Sequence, residues 1–162
     1  MNNTPQVKAP WLKSKDPEVP ATLTYSELSM CGRVEEMVRR YPDYIAYEFM
    51  GKCTTYAEMW KKINACAKSL KAIGIREGDK VTICMPNAPQ TLCMFYAVNM
   101  VGAIANMVHP LSAEGKIAFY LRDSGSGAAT TWAQFYTRFK TDPKPGDWPG
   151  RSTTMGRPHA GP

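Results

Sequence analysis

Metal-binding motifs are scarce in this chain of 162 residues. It has two histidines, His109 and His159, and its five cysteines form no Cys-x-x-Cys pair. A zinc site needs several clustered nitrogen or sulfur ligands, so the sequence argues against a zinc protein. Four of the five cysteines lie inside apolar patterns, where a reduced thiol packs as a small hydrophobic side chain. We therefore expect a reducing compartment, the cytoplasm.

Long hydrophobic runs are also missing. The longest unbroken apolar run covers residues 92–98, far short of the roughly 20 residues that a transmembrane helix needs. The first ten residues, MNNTPQVKAP, lack the apolar core of a secretory signal. The sequence therefore predicts neither a membrane span nor a secretion signal.

The positive charge is modest and spread along the chain, with a formal net charge of +6. Lys61, Lys68 and Lys71 share one side of a predicted helix, but no aromatic residues alternate with them. A groove for single-stranded nucleic acid combines basic and aromatic side chains. A solvated helix face explains the lysines better, so we expect no nucleic-acid partner.

Residues 80–110 predict a β-α-β unit around which the rest is organised. Residues 81–85 and 103–108 are short apolar runs typical of strands, and the helix between them is apolar on nearly all sides. Asn87 is the candidate N-cap of this helix, with Pro89 in its first turn and Gly102 after its end. Strands bridged by one helix lie parallel, and a parallel sheet is covered on both faces.

The residues before this unit predict a helix from Ser29 to about Tyr41 and then a β-hairpin. Residues 44–50 alternate as in a strand, and Gly51-Lys52 is interpreted as the turn into a second strand, 53–55. Thr55 and Glu58 have the spacing of a capping box. The helix that they begin has one apolar stripe: Tyr56, Met59, Trp60, Ile63, Cys66, Ala67, Leu70 and Ile73.

The residues after the unit predict a helix capped by Ser112, with Ile117, Tyr120 and Leu121 on its buried side. A third parallel strand at 128–131 and a short helix at 132–139 follow. The fold class is therefore α/β, an open doubly wound, mostly parallel sheet with a preceding β-hairpin. We divide the chain into an extended lead-in (1–24), one partial domain (25–141) and a Pro/Gly-rich tail (142–162) in which we expect disorder.

Six short motifs occur in one order over roughly residues 25–140, and their order resembles the N-terminal portion of adenylate-forming enzymes, most of all bacterial fatty-acyl-CoA synthetases. One departure is His109, where many relatives carry Asn. The motifs are Thr54-Thr55-Tyr56-Ala57-Glu58-Met59, Gly74-Ile75-x-x-Gly78-Asp79-Lys80-Val81, Met85-Pro86-Asn87, Gly102-Ala103, His109-Pro110-Leu111 and Leu121-x-Asp123-Ser124-Gly125.

The resemblance implies a reaction and a larger protein. Such enzymes join a carboxylic acid to ATP, with Mg²⁺ on the phosphates, and then pass the acyl group to coenzyme A. The family's phosphate loop ending in Pro-Lys-Gly and its C-terminal domain with the adenylation lysine have no counterpart in this sequence. Fatty acid, ATP, Mg²⁺ and coenzyme A are thus expected for the full-length family, and no bound cofactor for this chain alone.

Three local segments are candidate functional sites, and each is better explained without a ligand or a catalytic role. Residues 124–131, SGSGAATT, have the small side chains of an anion cradle but no lysine at the right offset. Residues 142–146, DPKPG, place Lys144 near a glycine, but two prolines remove amide donors that a phosphate needs. His109 ends a strand before a proline turn and is interpreted as structural. We therefore assign no catalytic, cofactor-binding or metal-binding residue.

Two hypotheses remain open. In the first, the chain is the beginning of an acyl-CoA ligase whose tail, from about Asp142, is read in a shifted frame, and it is inactive alone. In the second, it is a non-catalytic interaction module or one chain of a split ligase. The DNA beyond the stop codon separates them. Both allow self-association through an exposed core, which we expect around the apolar helix at 88–101.

Overall fold

The structure, a computed structural model, describes residues 9–135 and the backbone of residues 151–155. Within them lie four α-helices: α1 (Met30–Arg40), α2 (Tyr56–Ala72), α3 (Pro89–Val101) and α4 (Glu114–Ser124). The six strands are β1 (Ile45–Phe49), β2 (Lys52–Thr55), β3 (Lys80–Cys84), β4 (Ile104–Met107), β5 (Ala128–Trp132) and β6 (Arg151–Met155). Short 3-10 helices cover Pro10–Ser14 and Ala133–Phe135. None of the helices in these ranges is long and apolar enough to cross a bilayer.

The sheet is parallel and doubly wound, as predicted. Its strand order is β4-β3-β5-β6, and β1 and β2 form a separate antiparallel hairpin. Val81 and Ile83 of β3 belong to a core shared with α2 and α3, whereas Cys84 packs with Ile117 and Leu121 of α4. Successive side chains of a strand point to opposite faces, so these contacts put helices on both faces of the sheet.

The capping box at the start of α2 is confirmed. Thr55 Oγ1 accepts a hydrogen bond from the Glu58 amide at 3.3 Å, and the Glu58 carboxylate accepts one from the Thr55 amide at 3.0 Å. The apolar stripe faces the core as predicted. Met59, Ile63, Ala67 and Leu70 are buried, and the other stripe residues pack partly buried against them.

The apolar helix α3 is covered, which corrects the expected exposure. All of its residues are buried or half-buried, because α1, α2 and the sheet pack around it. The exposed apolar side chains near the sheet lie instead on β4 and α4 and between them. They are Ile104, Met107, Leu111, Phe119 and Tyr120.

Two predicted helix caps and one predicted buried residue are wrong. The N-caps of α3 and α4 are Ala88 and Ala113 rather than Asn87 and Ser112, and neither makes a side-chain cap. Pro89, the first residue of α3, has no amide, so this helix start has one donor fewer to satisfy. Tyr120 is 39% exposed because α4 turns only Ile117 and Leu121 fully inward.

The hairpin turn lies one residue earlier than predicted. Phe49 pairs with Lys52, so the two turn residues are Met50 and Gly51, with φ angles of 51° and 75°. Positive φ at both positions is the type I′ geometry that matches the twist of a hairpin. A register shift between Ile45 and Tyr47 breaks the predicted alternation and leaves Ile45 exposed.

The tail prediction is corrected at five residues. Residues 151–155 form β6, parallel to β5, although the sequence predicted no packed element after Asp142. Threonine at positions 153 and 154 has high β propensity, which the Pro/Gly-rich surroundings concealed. The short helix predicted at residues 132–139 is also corrected, because β5 extends to Trp132 and a 3-10 helix covers Ala133–Phe135. The remainder of the predicted helix and of the tail lies outside the described residues.

Candidate functional site

A groove of about 560 Å³ lies at the carboxyl edge of the sheet. Because β3, β4 and β5 are parallel, the segments that follow them meet at this edge. From β3 the chain passes through α3 to β4 on one side, and from β4 it returns through α4, over the opposite face of the sheet, to β5 on the other side of β3. Open α/β sheets bind ligands where the strand order reverses in this way. The lining residues are Met85, Pro86, Asn87, Met107, Val108, His109, Pro110, Leu111, Trp132, Gln134 and Phe135.

The lining of this groove is apolar and neutral. Its polar side chains are those of Asn87, His109 and Gln134 together with the Trp132 indole, and no Lys, Arg, Asp or Glu side chain among the described residues lines it. A triphosphate needs cationic or amide donors, and Mg²⁺ needs oxygen ligands from carboxylates. In residues 9–135, no three His, Cys, Asp or Glu side chains come together as a possible metal site. The side chains that line this groove therefore do not suit ATP phosphates or Mg²⁺.

Trp132 is a groove residue that sequence reasoning missed. Its Nε1 atom is buried and has no hydrogen-bond partner in the structure. A buried donor without a partner costs about 1–3 kcal/mol, so a ligand acceptor that reached it would be bound favourably. The sequence did contain a signal for Trp132 as a groove residue, namely an aromatic residue at the carboxyl end of a predicted parallel strand.

His109 lines the groove from an exposed position, and its described contact is local. Its Nδ1 atom accepts a hydrogen bond from the Leu111 amide at 3.3 Å. The Ser112 amide donates to the His109 carbonyl at 3.1 Å. Both bonds hold the turn after β4, in agreement with the structural interpretation of His109.

Residues 124–131 contain the end of α4, a short turn and most of β5. The hydroxyls of Ser124 and Ser126 lie 2.8 Å apart, and the Ser126 hydroxyl lies 2.8 Å from Thr82 Oγ1, inside the protein. Gly125 is the left-handed residue that ends α4, whose negative dipole end repels anions. A helix end followed by a strand explains the sequence, as predicted. Residues 142–146 lie outside the described residues.

The five cysteines are free thiols. Burial raises the pKa of the Cys93 thiol to about 11, and burial also raises the pKa of Cys66. Cysteine nucleophiles need a lowered pKa, so neither thiol fits a catalytic role. The lysines at positions 61, 68 and 71 are exposed on α2, as expected for a solvated face.

Comparison with known proteins identifies the family. The family model described as AMP-binding enzyme matches residues 34–152, which span α1 to the start of β6. The chain belongs to the AMP-binding enzyme family. The resemblance to adenylate-forming enzymes that the six motifs carried is thereby confirmed.

Relatives that resemble this chain include long-chain-fatty-acid–CoA ligases. A long-chain-fatty-acid–CoA ligase of Bacillus subtilis strain 168 is 29% identical over 119 residues, covering 74% of this chain and 21% of that protein. The Mycobacterium tuberculosis long-chain-fatty-acid–CoA ligase FadD13 is 37% identical over 111 residues, covering 64% of this chain and 22% of that protein. The chain thus spans about a fifth of the length of these relatives.

Solved structures of other proteins share the fold. A Mycobacterium tuberculosis fatty acyl CoA synthetase has a TM-score of 0.69 and 29% identity, covering 76% of this chain and 25% of that chain. A Klebsiella oxytoca adenylation-PCP di-domain has a TM-score of 0.70 at 22% identity, covering 80% of this chain and 23% of that chain, and supports the fold alone. Both confirm the α/β sheet with its hairpin.

Proposed function

We propose that the chain forms part of a fatty-acyl-CoA synthetase that uses ATP and Mg²⁺ to activate a fatty acid and then transfers it to coenzyme A in the cytoplasm. The observation that carries this proposal is the family match over residues 34–152, with ligases of long-chain fatty acids among the relatives. The free cysteines support a reducing compartment.

The role of the chain within that reaction is to supply one wall of a ligand site. The groove at the carboxyl edge of the sheet offers apolar surface and neutral hydrogen-bonding groups. Such a lining suits an uncharged part of a substrate, while phosphate charge has to be met by groups elsewhere. We therefore propose that this chain alone does not catalyse adenylation.

A chimeric ligase tests this function. Residues 34–135 replace the matching segment of the Bacillus subtilis ligase, and formation of fatty-acyl-CoA is measured. We expect a folded chimera that retains activity, because the two segments are homologous. A folded chimera without measurable acyl-CoA formation would contradict the proposal.

A charge placed in the groove tests the role of the groove within the chimera. Leu111 lines the groove and is 65% exposed, so Leu111→Arg adds charge without disturbing the core. We expect the KM of one substrate to rise about tenfold or more, because an apolar part of the substrate that packs against position 111 would have to remove water from the new guanidinium. Met50→Arg, at an 86% exposed turn residue, is the matched control and should leave every KM unchanged.

A non-catalytic interaction module, or one chain of a split ligase, is the second candidate function. The exposed apolar side chains on β4 and α4 favour it, because exposed apolar surface marks sites of protein association. Mixing the chain with a separately expressed remainder of the Bacillus subtilis ligase tests the split-ligase form. Restored acyl-CoA formation would support it, and a mixture as inactive as either part would count against it.

A further inference from the structure

Strand β4 has one neighbour in the described sheet, and its other edge is open. The Ile104 amide donates to the Asp79 carbonyl at 2.8 Å, and the Val108 amide donates to the Ile83 carbonyl at 3.0 Å. Alternate residues of a strand direct their backbone groups to the same side. The amides and carbonyls of Ala105 and Met107 therefore point away from β3.

This edge lacks the features that usually block strand addition. Its sequence, Ile-Ala-Asn-Met, contains no charge and no proline, and the pairing with β3 runs without a bulge. The Ile104 and Met107 side chains are 52% and 51% exposed. Natural edge strands are usually protected by lysine, proline, bulges or covering elements, so an uncharged apolar edge is open to pairing with another strand.

We propose that β4 pairs with β4 of a second copy of this chain, antiparallel, with a two-fold axis at Asn106. In this register Ala105 of each copy lies opposite Met107 of the other, and these two outward-facing residues exchange backbone hydrogen bonds. Four such bonds form across the axis. The two sheets join into one continuous sheet, and the interface is isologous.

The side chains on both faces suit this register. On the face that packs against α3, the small Ala105 receives the long, exposed Met107 of the other copy. On the α4 face, Asn106 donates one Nδ2 hydrogen to Thr82 Oγ1 at 2.9 Å and keeps a second donor and an acceptor for its own symmetry mate. Self-pairing thus places the large Met107 side chain against the small Ala105 side chain and one Asn106 amide against the other. A strand with charged or bulky side chains at these positions would not fit in this way.

Disulfide trapping tests the register directly. Asn106→Cys, in a Cys53→Ser background that removes the exposed native thiol, brings two cysteines together at the axis with Cα atoms about 4.5 Å apart. That distance permits a disulfide. Met107→Cys in the same background is the matched control. In the proposed register the Cα atoms of position 107 in the two copies lie roughly 8 Å apart, which is too far for a disulfide.

We expect mild oxidation to give a covalent dimer with Asn106→Cys and none with Met107→Cys, and mass spectrometry to identify the 106–106 link. Equal trapping of both variants, or no trapping at Asn106→Cys in folded protein, would overturn the register.

Sedimentation over a wide concentration range tests the dimer itself. Ala105→Pro removes an outward amide from each copy but no bond to β3, so the dimer Kd should rise about tenfold or more. Met107→Lys should also raise the dimer Kd, whereas Met50→Lys at the hairpin turn should leave it unchanged. A wild-type chain that stays monomeric at every concentration, or a dimer that Met107→Lys leaves unchanged, would contradict the proposal.

Discussion

Asn99 interrupts the apolar stretch of α3, and its carboxamide joins two helices. Its Oδ1 atom accepts a hydrogen bond from the Cys31 amide at 2.8 Å, in the first turn of α1. The first amides of a helix have no partner within the helix, so Asn99 satisfies a donor that α1 leaves open. The sequence showed a polar residue among apolar ones, but its partner lies 68 positions away and no local pattern indicates it.

Replacing Asn99 by Leu should lower the free energy of unfolding by about 1–3 kcal/mol, because the Cys31 amide loses its acceptor in a partly buried place. Asn64→Ala is the matched control. The Asn64 side chain bonds to the Trp60 carbonyl within its own helix, so its loss should cost less. Urea unfolding measures both variants, and equal costs would contradict the assigned role of Asn99.

The buried Cys93 thiol should make the protein less stable at alkaline pH. Its pKa is raised by burial from 9.0 to about 11, so the unfolded chain ionises before the folded one. The contribution of this thiol to stability is complete below pH 9 and is lost as the pH rises through 11, by at most about 3 kcal/mol. Unfolding free energies measured across this range should fall less steeply in Cys93→Ala than in the wild type. An identical slope would show that this thiol does not contribute.

At the scale of elements, local signals predicted the fold well and failed where tertiary contacts decide. The capping box of α2 and its apolar stripe follow from neighbouring residues, and both are confirmed. The caps of α3 and α4 were wrong, because each helix begins one residue later than local signals indicated and Ala88 and Ala113 occupy the cap positions. The exposure of Tyr120 depends on how α4 lies against the sheet, which periodicity alone does not determine.

The capping box gives a prediction about α2. Thr55→Ala removes the acceptor for the Glu58 amide and should lower stability by about 0.5–2 kcal/mol. Ser69→Ala, an exposed hydroxyl bonded to the Ala65 carbonyl in the same helix, is the control and should change stability by less than about 0.5 kcal/mol. In an active chimera, Thr55→Ala should lower the Tm without changing turnover per folded molecule. A tenfold fall in turnover at unchanged Tm would place this element in the catalytic machinery.

At the scale of the whole molecule, the α/β class was predictable and the groove was not. Repeated strand and helix patterns between residues 80 and 132 were enough for a parallel doubly wound sheet. The groove is built by three segments that follow three different strands. Two of these segments carry the motifs Met85-Pro86-Asn87 and His109-Pro110-Leu111, but no local pattern shows that they meet Trp132 in one groove. Its neutral lining becomes visible only when the strands are placed side by side. That lining supports the central proposal, a family scaffold that does not adenylate by itself.

The exchange of labelled pyrophosphate into ATP in the presence of a fatty acid measures adenylation most directly. We predict that the isolated chain stays at the level of a matched blank, because the groove presents neutral side chains where developing phosphate charge would need cationic donors. The active chimera serves as the positive control. Fatty-acid-dependent exchange by the isolated chain above the blank, abolished by Lys144→Ala, would contradict this account and show that the chain carries its own phosphate site.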